Sequence, residues 1–115
     1  MMSSLPRSFQ ENINYAIILW ALREKPAHGY ELRKRIRDLV GVSIGFGSLY
    51  PMLYKMEKAK LIKSEKKRIG RRVRRVYKIG DRGLRFQKEM SARFRGFFSW
   101  MLGISATKKA AKSTR

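Results

Sequence analysis

Between Asn12 and Arg23, apolar side chains fall on nearly every face of a helical projection. Ile13, Ile17 and Ala21 make one stripe, and Ala16, Leu19 and Trp20 lie beside it. A helix apolar all round must be covered on several sides. In so small a chain the second cover is expected to be another copy of the chain. Ser8 or Asn12 is available as its N-cap and Pro26 as its stop. A second helix is predicted over Gly29 to Val40, with Leu32, Ile36, Leu39 and Val40 on one face, Arg33, Lys34, Arg35 and Arg37 on the other, and Gly41 at the C-terminal cap. After a short connection, Leu49, Leu53 and Met56 repeat at helical spacing between Gly47 and Lys60. Pro51 inside that segment predicts an irregular first turn around Gly47 to Tyr50.

Two short helices joined by a glycine-containing turn form a helix-turn-helix pattern. Leu61 to Arg68 and Arg74 to Ile79 then read as strands, with Gly70 at the turn and arginines over most of the tip. From Asp81 to about Ile104, Leu84, Phe86, Met90, Phe94, Phe97, Phe98, Met101 and Leu102 recur at mostly three- and four-residue steps. This long amphipathic helix has nothing downstream to cover it. Ser105 to Arg115 reads as a basic disordered tail. The predicted architecture is mainly α with a small β-hairpin, a winged helix-turn-helix followed by a long C-terminal helix.

Composition narrows the chemistry. The 115 residues suit one domain and carry 28 Lys and Arg against 8 Asp and Glu, a formal charge of +20. Residues 55–85 hold 14 of the basic residues and only 3 acidic ones. One projection is therefore the expected contact surface for a polyanion. Without cysteine, and with a single histidine, neither a disulfide framework nor a metal site is expected, and no cofactor. His28 itself is expected to cap or pack. The longest apolar run, Tyr15 to Leu22, is far short of the roughly 20 residues needed to span a bilayer. No secretory signal is expected either, which places the protein in the cytoplasm, associated with the nucleoid. The carboxylates are scattered and no nucleophile has a base at useful spacing, so enzyme chemistry is not expected.

The local words HGYEL at 28–32, GSLYPML at 47–53 and KMEKAKLI at 55–62, the arginine-rich wing ending in Val76-Tyr77, and GDRG at 80–83 resemble the PadR family of winged-helix transcription regulators. The likeness covers roughly residues 12–90. It implies a DNA-binding domain over 9–80, a dimerisation helix over 81–104 and the tail over 105–115. It also implies a homodimer that binds double-stranded DNA, commonly as a repressor, and that in some members responds to a small aromatic effector. Two positions depart from the family pattern. Lys60 stands where glycine is usual, so a side chain would occupy a left-handed cap. Gly80 replaces a threonine, leaving Asp81 to supply the N-cap.

With Leu49, Leu53 and Met56 facing the core, Ser48, Tyr50 and Lys55 are the candidate DNA contacts of the recognition helix, and the helix N-terminus near Gly47 and Ser48 suits a phosphate. In the wing the candidates are Arg71, Arg72, Arg74 and Arg75, with Arg72 and Arg74 on one side of the strand and Arg75 on the other. Lys34 and Arg35 are candidate backbone clamps. Ile17, Trp20, Phe94, Phe97, Phe98 and Met101 are the candidate dimer interface, and Trp20 and Trp100 a candidate effector pocket. A chromosome-coating protein that uses the same dimer without choosing a sequence is the main rival reading. An RNA-binding protein fits the size and charge but not GSLYP.

Overall fold

The computed structural model describes residues 6–103. Its elements are α1 (Arg7–Leu22), β1 (Ala27–His28), α2 (Gly29–Val40), α3 (Phe46–Lys58), β2 (Ile62–Ile69), β3 (Arg72–Ile79) and α4 (Asp81–Met101). The fold is a mainly helical winged helix with a three-stranded antiparallel sheet in the order β1-β3-β2. The third strand, β1, is an addition to the expected hairpin. It pairs Ala27 with Tyr77 and His28 with Val76, tying the link between α1 and α2 to the far end of the wing.

α1 starts at Arg7, earlier than the apolar pattern begins. Neither Ser8 nor Asn12 caps it. The N-cap is Pro6, whose carbonyl accepts from the N–H groups of Phe9 and Gln10. The buried face is centred on Ile18, Leu19, Ala21 and Leu22, with Ile17 only half-buried, so the core-facing stripe is rotated from the Ile13–Ile17–Ala21 line. α2 has the bounds expected and opens with a capping box. The Glu31 N–H donates to His28 Nδ1 (3.3 Å), and the His28 N–H donates to Glu31 Oε1 (3.2 Å). Its core residues are Leu32 and Ile36. Leu39 and Val40, expected on the same face, are exposed because the last turn runs past the edge of the core.

α3 buries Leu49, Leu53 and Met56 completely, as their spacing requires. Its first turn is regular, contrary to expectation, and Pro51 sits within the helix. Proline takes one hydrogen bond from the carbonyl four residues back. Here that carbonyl belongs to Gly47, an exposed residue that water can serve. The helix ends in a Schellman turn. The Leu61 N–H donates to the Met56 carbonyl and the Lys60 N–H to that of Glu57, with Lys60 at φ 67°.

β2 and β3 run further toward the tip than the apolar pattern suggested and are joined by Gly70 and Arg71 alone. Gly70 has φ 65°, the conformation a two-residue hairpin requires at its first position. α1 packs on both α2 and α4, α2 on α3, and α3 on β2. The core joins Ile18, Leu19, Leu22, Leu32, Ile36, Leu49, Leu53, Met56 and Ile62, all fully buried. Each such side chain contributes about 1.5–3 kcal/mol of hydrophobic stabilisation. α4 begins tightly against this core. A Cβ at Gly83 would stand 2.9 Å from Ile79 Cγ1 and 3.0 Å from Leu19 Cδ2. Asp81 is the first residue of α4 and makes no cap bond; Gly80 is the N-cap, and Asp81 instead places a carboxylate at the positive end of the helix dipole. Beyond Met90 no residue of α4 is buried. Ile104 and the tail at 105–115 lie outside the described residues.

Candidate nucleic-acid interface

The recognition unit is built from α2, the turn at 41–45 and α3. Arg33 holds the turn. Its Nε donates to the Ile44 carbonyl (2.6 Å) and its guanidinium lies 4.9 Å from the Phe46 ring centre. The Phe46 ring in turn stacks with Tyr30 at 6.4 Å and Tyr50 at 5.5 Å, making a ladder of three rings along one side of the unit. Arg33 reads from the sequence only as one cation of the polar face of α2, and Phe46 and Tyr30 carry no signal there. A cation and aromatic residues at α2 positions 30 and 33 and at the start of α3 were visible, but only the turn geometry brings them together.

Ser48 and Tyr50 are exposed on the first turns of α3. The Ser48 N–H already donates to the Gly45 carbonyl (3.1 Å), so the hydroxyl is the group Ser48 offers outward, not a free amide. Tyr50 leans over the start of α2, its ring against Gly29, while keeping 45% of its surface open. It serves packing and still presents a face. Lys55 is exposed and pairs with Glu11 of α1 at 3.2 Å, a contact that a phosphate can displace at small cost because both groups are wet. Tyr54 is exposed beneath the Lys58 ammonium, 5.4 Å from its ring centre.

Lys34 is exposed beside the turn, in a small pocket of 40 Å³ shared with Tyr30, Arg33, Arg37 and Ser43. Arg35, named with it as a backbone clamp, has a different partner. Its guanidinium donates to the carbonyls of Ala21 (3.0 Å), Lys25 (2.7 Å) and Pro26 (3.1 Å). It therefore closes the C-terminal end of α1, whose last carbonyls otherwise lack donors, and clamps this chain's own backbone.

The wing is basic on both faces. Ser64 faces α3, because its hydroxyl donates to Glu57 Oε2 (2.8 Å), and Arg75 Nη1 donates to the same Ser64 oxygen (2.9 Å). The strand register then assigns Lys66, Arg68, Val73 and Arg75 to the α3 side, and Lys63, Lys67, Arg72, Arg74 and Lys78 to the other. Arg71 is exposed at the turn. The Glu57–Ser64–Arg75 bridge fixes the wing against the last turn of the recognition helix. Below it, Tyr77 is buried. Desolvation holds its phenol above the usual tyrosine range, with Tyr50 and Glu57 adding to the rise and Arg75 opposing it.

Between α1 and α4, Tyr15 meets Phe86 (ring centres 6.5 Å) and Leu19 meets Gly83, which makes the two helices antiparallel. Trp20, Phe97, Phe98 and Met101 are each about half exposed, Trp100 is 75% exposed, and Phe94 and Ile17 are partly covered. Trp20 lies near the start of α4, and Trp100 about 27 Å further along it. The two tryptophans of one protomer therefore cannot line one pocket. A site using both needs Trp20 of one copy and Trp100 of another. Among the described residues there is no His, Cys, Asp and Glu group suited to a metal and no helix long and apolar enough to cross a membrane.

Residues 18–92 match the sequence profile of the transcriptional regulator PadR-like family. Among solved structures, a PadR family transcriptional regulator from Eggerthella lenta is 31% identical over 87% of this chain and 88% of its own, with a TM-score of 0.71. A transcriptional regulator from Clostridium thermocellum is 26% identical over 80% and 91%, with a TM-score of 0.70. The fold is also that of Bacillus subtilis PadR in complex with operator DNA, 21% identical over 68% of this chain and 46% of that one, with a TM-score of 0.62. No curated protein sequence matches the chain significantly.

Proposed function

Because this chain belongs to the PadR-like family of transcriptional regulators, we propose that it binds duplex DNA sequence-specifically as a homodimer and acts as a repressor in the cytoplasm, on the nucleoid. The observation that carries this reading is the fixed placement of an exposed helix face beside a basic hairpin. Ser48, Tyr50 and Lys55 are exposed on α3, and the Glu57–Ser64–Arg75 bridge holds the wing at a set angle to them. An exposed helix of this kind suits a major groove, and arginines on the neighbouring hairpin suit a narrow minor groove or the sugar-phosphate backbone. The half-exposed stripe of Phe97, Phe98 and Met101 on α4, with Ile17, Trp20 and Phe94, supports dimerisation. A small aromatic effector would meet the exposed tryptophans across that interface.

Selection of bound duplexes from a random library tests the reading. A two-fold dimer should return paired half-sites about 34 Å apart, preferred over random duplex by ~10³ or more. A library that comes back unenriched sinks it. The two basic faces of the wing favour the chromosome-coating alternative to that extent, since charge spread over both sides exceeds what one groove contacts. In that case the protein binds all duplexes equally.

A further inference from the structure

The face of the wing sheet turned away from α3 carries three lysines, Lys63, Lys67 and Lys78, that the recognition unit does not use. In the register of β2 and β3, Lys63 stands directly opposite Lys78, and Lys67 directly opposite Arg74. Like charges at directly opposed positions destabilise a hairpin. Glu65, between the two pairs, is the one carboxylate on this face; it reaches Lys67 at 3.8 Å, with both groups more than half exposed. Toward the base, Pro26, Lys63, Ser64, Glu65, Lys67, Val76 and Lys78 border an open concavity of 330 Å³. From Lys63 to Ile69 the face is about 20 Å long, room for roughly six base pairs of backbone.

The chemistry of the face selects its partner. Val76 and Pro26 are the apolar residues around the concavity, and no aromatic side chain borders it. A protein partner would be anchored by buried aromatic or aliphatic side chains in such a recess, and single-stranded nucleic acid by stacking on aromatic rings. What the face does offer is the exposed Lys63, Lys67 and Lys78 with the partly covered Arg74, and the mutual repulsion of each opposed pair is relieved when an anion lies between them. That suits the phosphate backbone of a duplex. The three lysines of this face lie apart from the wing residues that turn toward α3 with Ser64, whereas Arg72 and Arg74, nearer the tip, are shared with the first contact surface.

We propose that the outer face of the wing sheet is a second duplex-binding surface. A dimer seated on one DNA segment through its recognition helices then holds another segment against its wings and bridges the two. This rests on the reading of the protein as a duplex binder and adds a second site to it.

The test uses the full-length chain and a triple variant, Lys63→Gln, Lys67→Gln and Lys78→Gln. Affinity for one library-selected duplex is measured by anisotropy. Bridging is measured as capture of a labelled random duplex by protein already saturating a bead-bound selected duplex. The wild type should capture the second duplex. The variant should capture it roughly tenfold less well, with a salt slope for the second duplex shallower by about 2.7 for each wing engaged, or 0.9 per lost phosphate contact. Its affinity for the first duplex should stay within about twofold, and its Tm should not fall, because two repulsive pairs have gone. Capture by the variant equal to wild type, or an equal loss at both duplexes, overturns the proposal. Release of the second duplex by poly-glutamate as readily as by duplex of equal charge overturns it in favour of an acidic polypeptide partner. A wild type that binds the first duplex and captures no second one ends the proposal while leaving the regulator reading intact, whereas failure to bind any duplex ends that reading as well.

Discussion

The ring of Tyr50 occupies the place where a side chain on Gly29 would begin, with Tyr50 Cζ 2.8 Å from the position of a Cβ there and the hydroxyl nearer still. The first residue of α2 and the second turn of the recognition helix are therefore specified together. Gly29→Ala should push the phenol out of its seat and cost about 1–3 kcal/mol, measured by urea denaturation. Duplex affinity should drop with it, because the displaced ring is itself a candidate contact on the exposed part of α3. Combining Gly29→Ala with Tyr50→Leu should restore stability without restoring binding. Additive losses in the double variant would show that the two residues act separately.

Lys60 holds a left-handed conformation in the Schellman turn between α3 and β2. A side chain there is strained by about 1 kcal/mol, partly offset because glycine loosens the unfolded chain. Lys60→Gly should thus stabilise the protein by about 0.5 kcal/mol, read as a rise in Tm at fixed protein concentration. A fall in Tm would mean that the lysine makes a compensating contact.

Lys34 and Arg35 are neighbours in different surroundings, one exposed and the other bonded to carbonyls of its own chain. Arg35→Ala removes the donor to the carbonyls of Ala21, Lys25 and Pro26 and should cost about 2 kcal/mol of stability, with hydrogen bonds from a charged group at ~1.5–3 kcal/mol each and partial exposure reducing the total. Lys34→Gln should leave Tm unchanged and make the salt slope of DNA binding shallower by about 1 per protomer. Identical behaviour of the two variants in either assay contradicts this assignment.

The apolar side of α4 beyond Met90 should make assembly tunable. Phe98→Asp sets a charge in the stripe where Phe94, Phe97 and Phe98 meet edge on or tilted at 5.6–6.5 Å. Sedimentation should show dimers for the natural chain at micromolar concentration and monomers for this variant, with weaker DNA binding. A natural chain that sediments as a monomer removes the dimer from the mechanism.

Burial raises the Tyr77 phenol. For a group raised in the folded state, its contribution to stability is complete below the unfolded value near 10 and is lost as pH climbs through the folded value. Between pH 9 and 11, Tyr77→Phe should therefore lose stability less steeply than the natural protein. Parallel pH profiles of Tm for the two proteins would count against a buried neutral phenol.

How much of this was legible in the sequence depends on the range of the interaction. Leu32, Ile36, Leu49, Leu53 and Met56 were found by spacing alone, because one helix buries one face. Leu39 and Val40 share that spacing yet are exposed, since where a helix leaves the core is set by its neighbours. The strands reach nearer to the tip than their apolar content indicated: Ile69 and Arg72 pair through backbone groups that every residue carries. The wing arginines were legible as a run of charge and their alternation as strand geometry. Which side met α3 was not, because it is fixed by the Ser64–Glu57 bond between separate elements. The same holds for Arg33 and Arg35, whose partners are carbonyls and leave no trace in residue type.

The pairing of β1 with β3, and of α1 with α4, joins the first quarter of the described chain to its last third. Such contacts form only after long loops close, which slows folding relative to a bundle of neighbouring helices. On the ribosome, α1 emerges early with its apolar faces bare and waits for some sixty further residues before Phe86 and Met90 can cover it. At an elongation rate of about 5–20 residues per second, that is an interval of seconds. Early exposure of α1 makes it the segment to watch for chaperone contact.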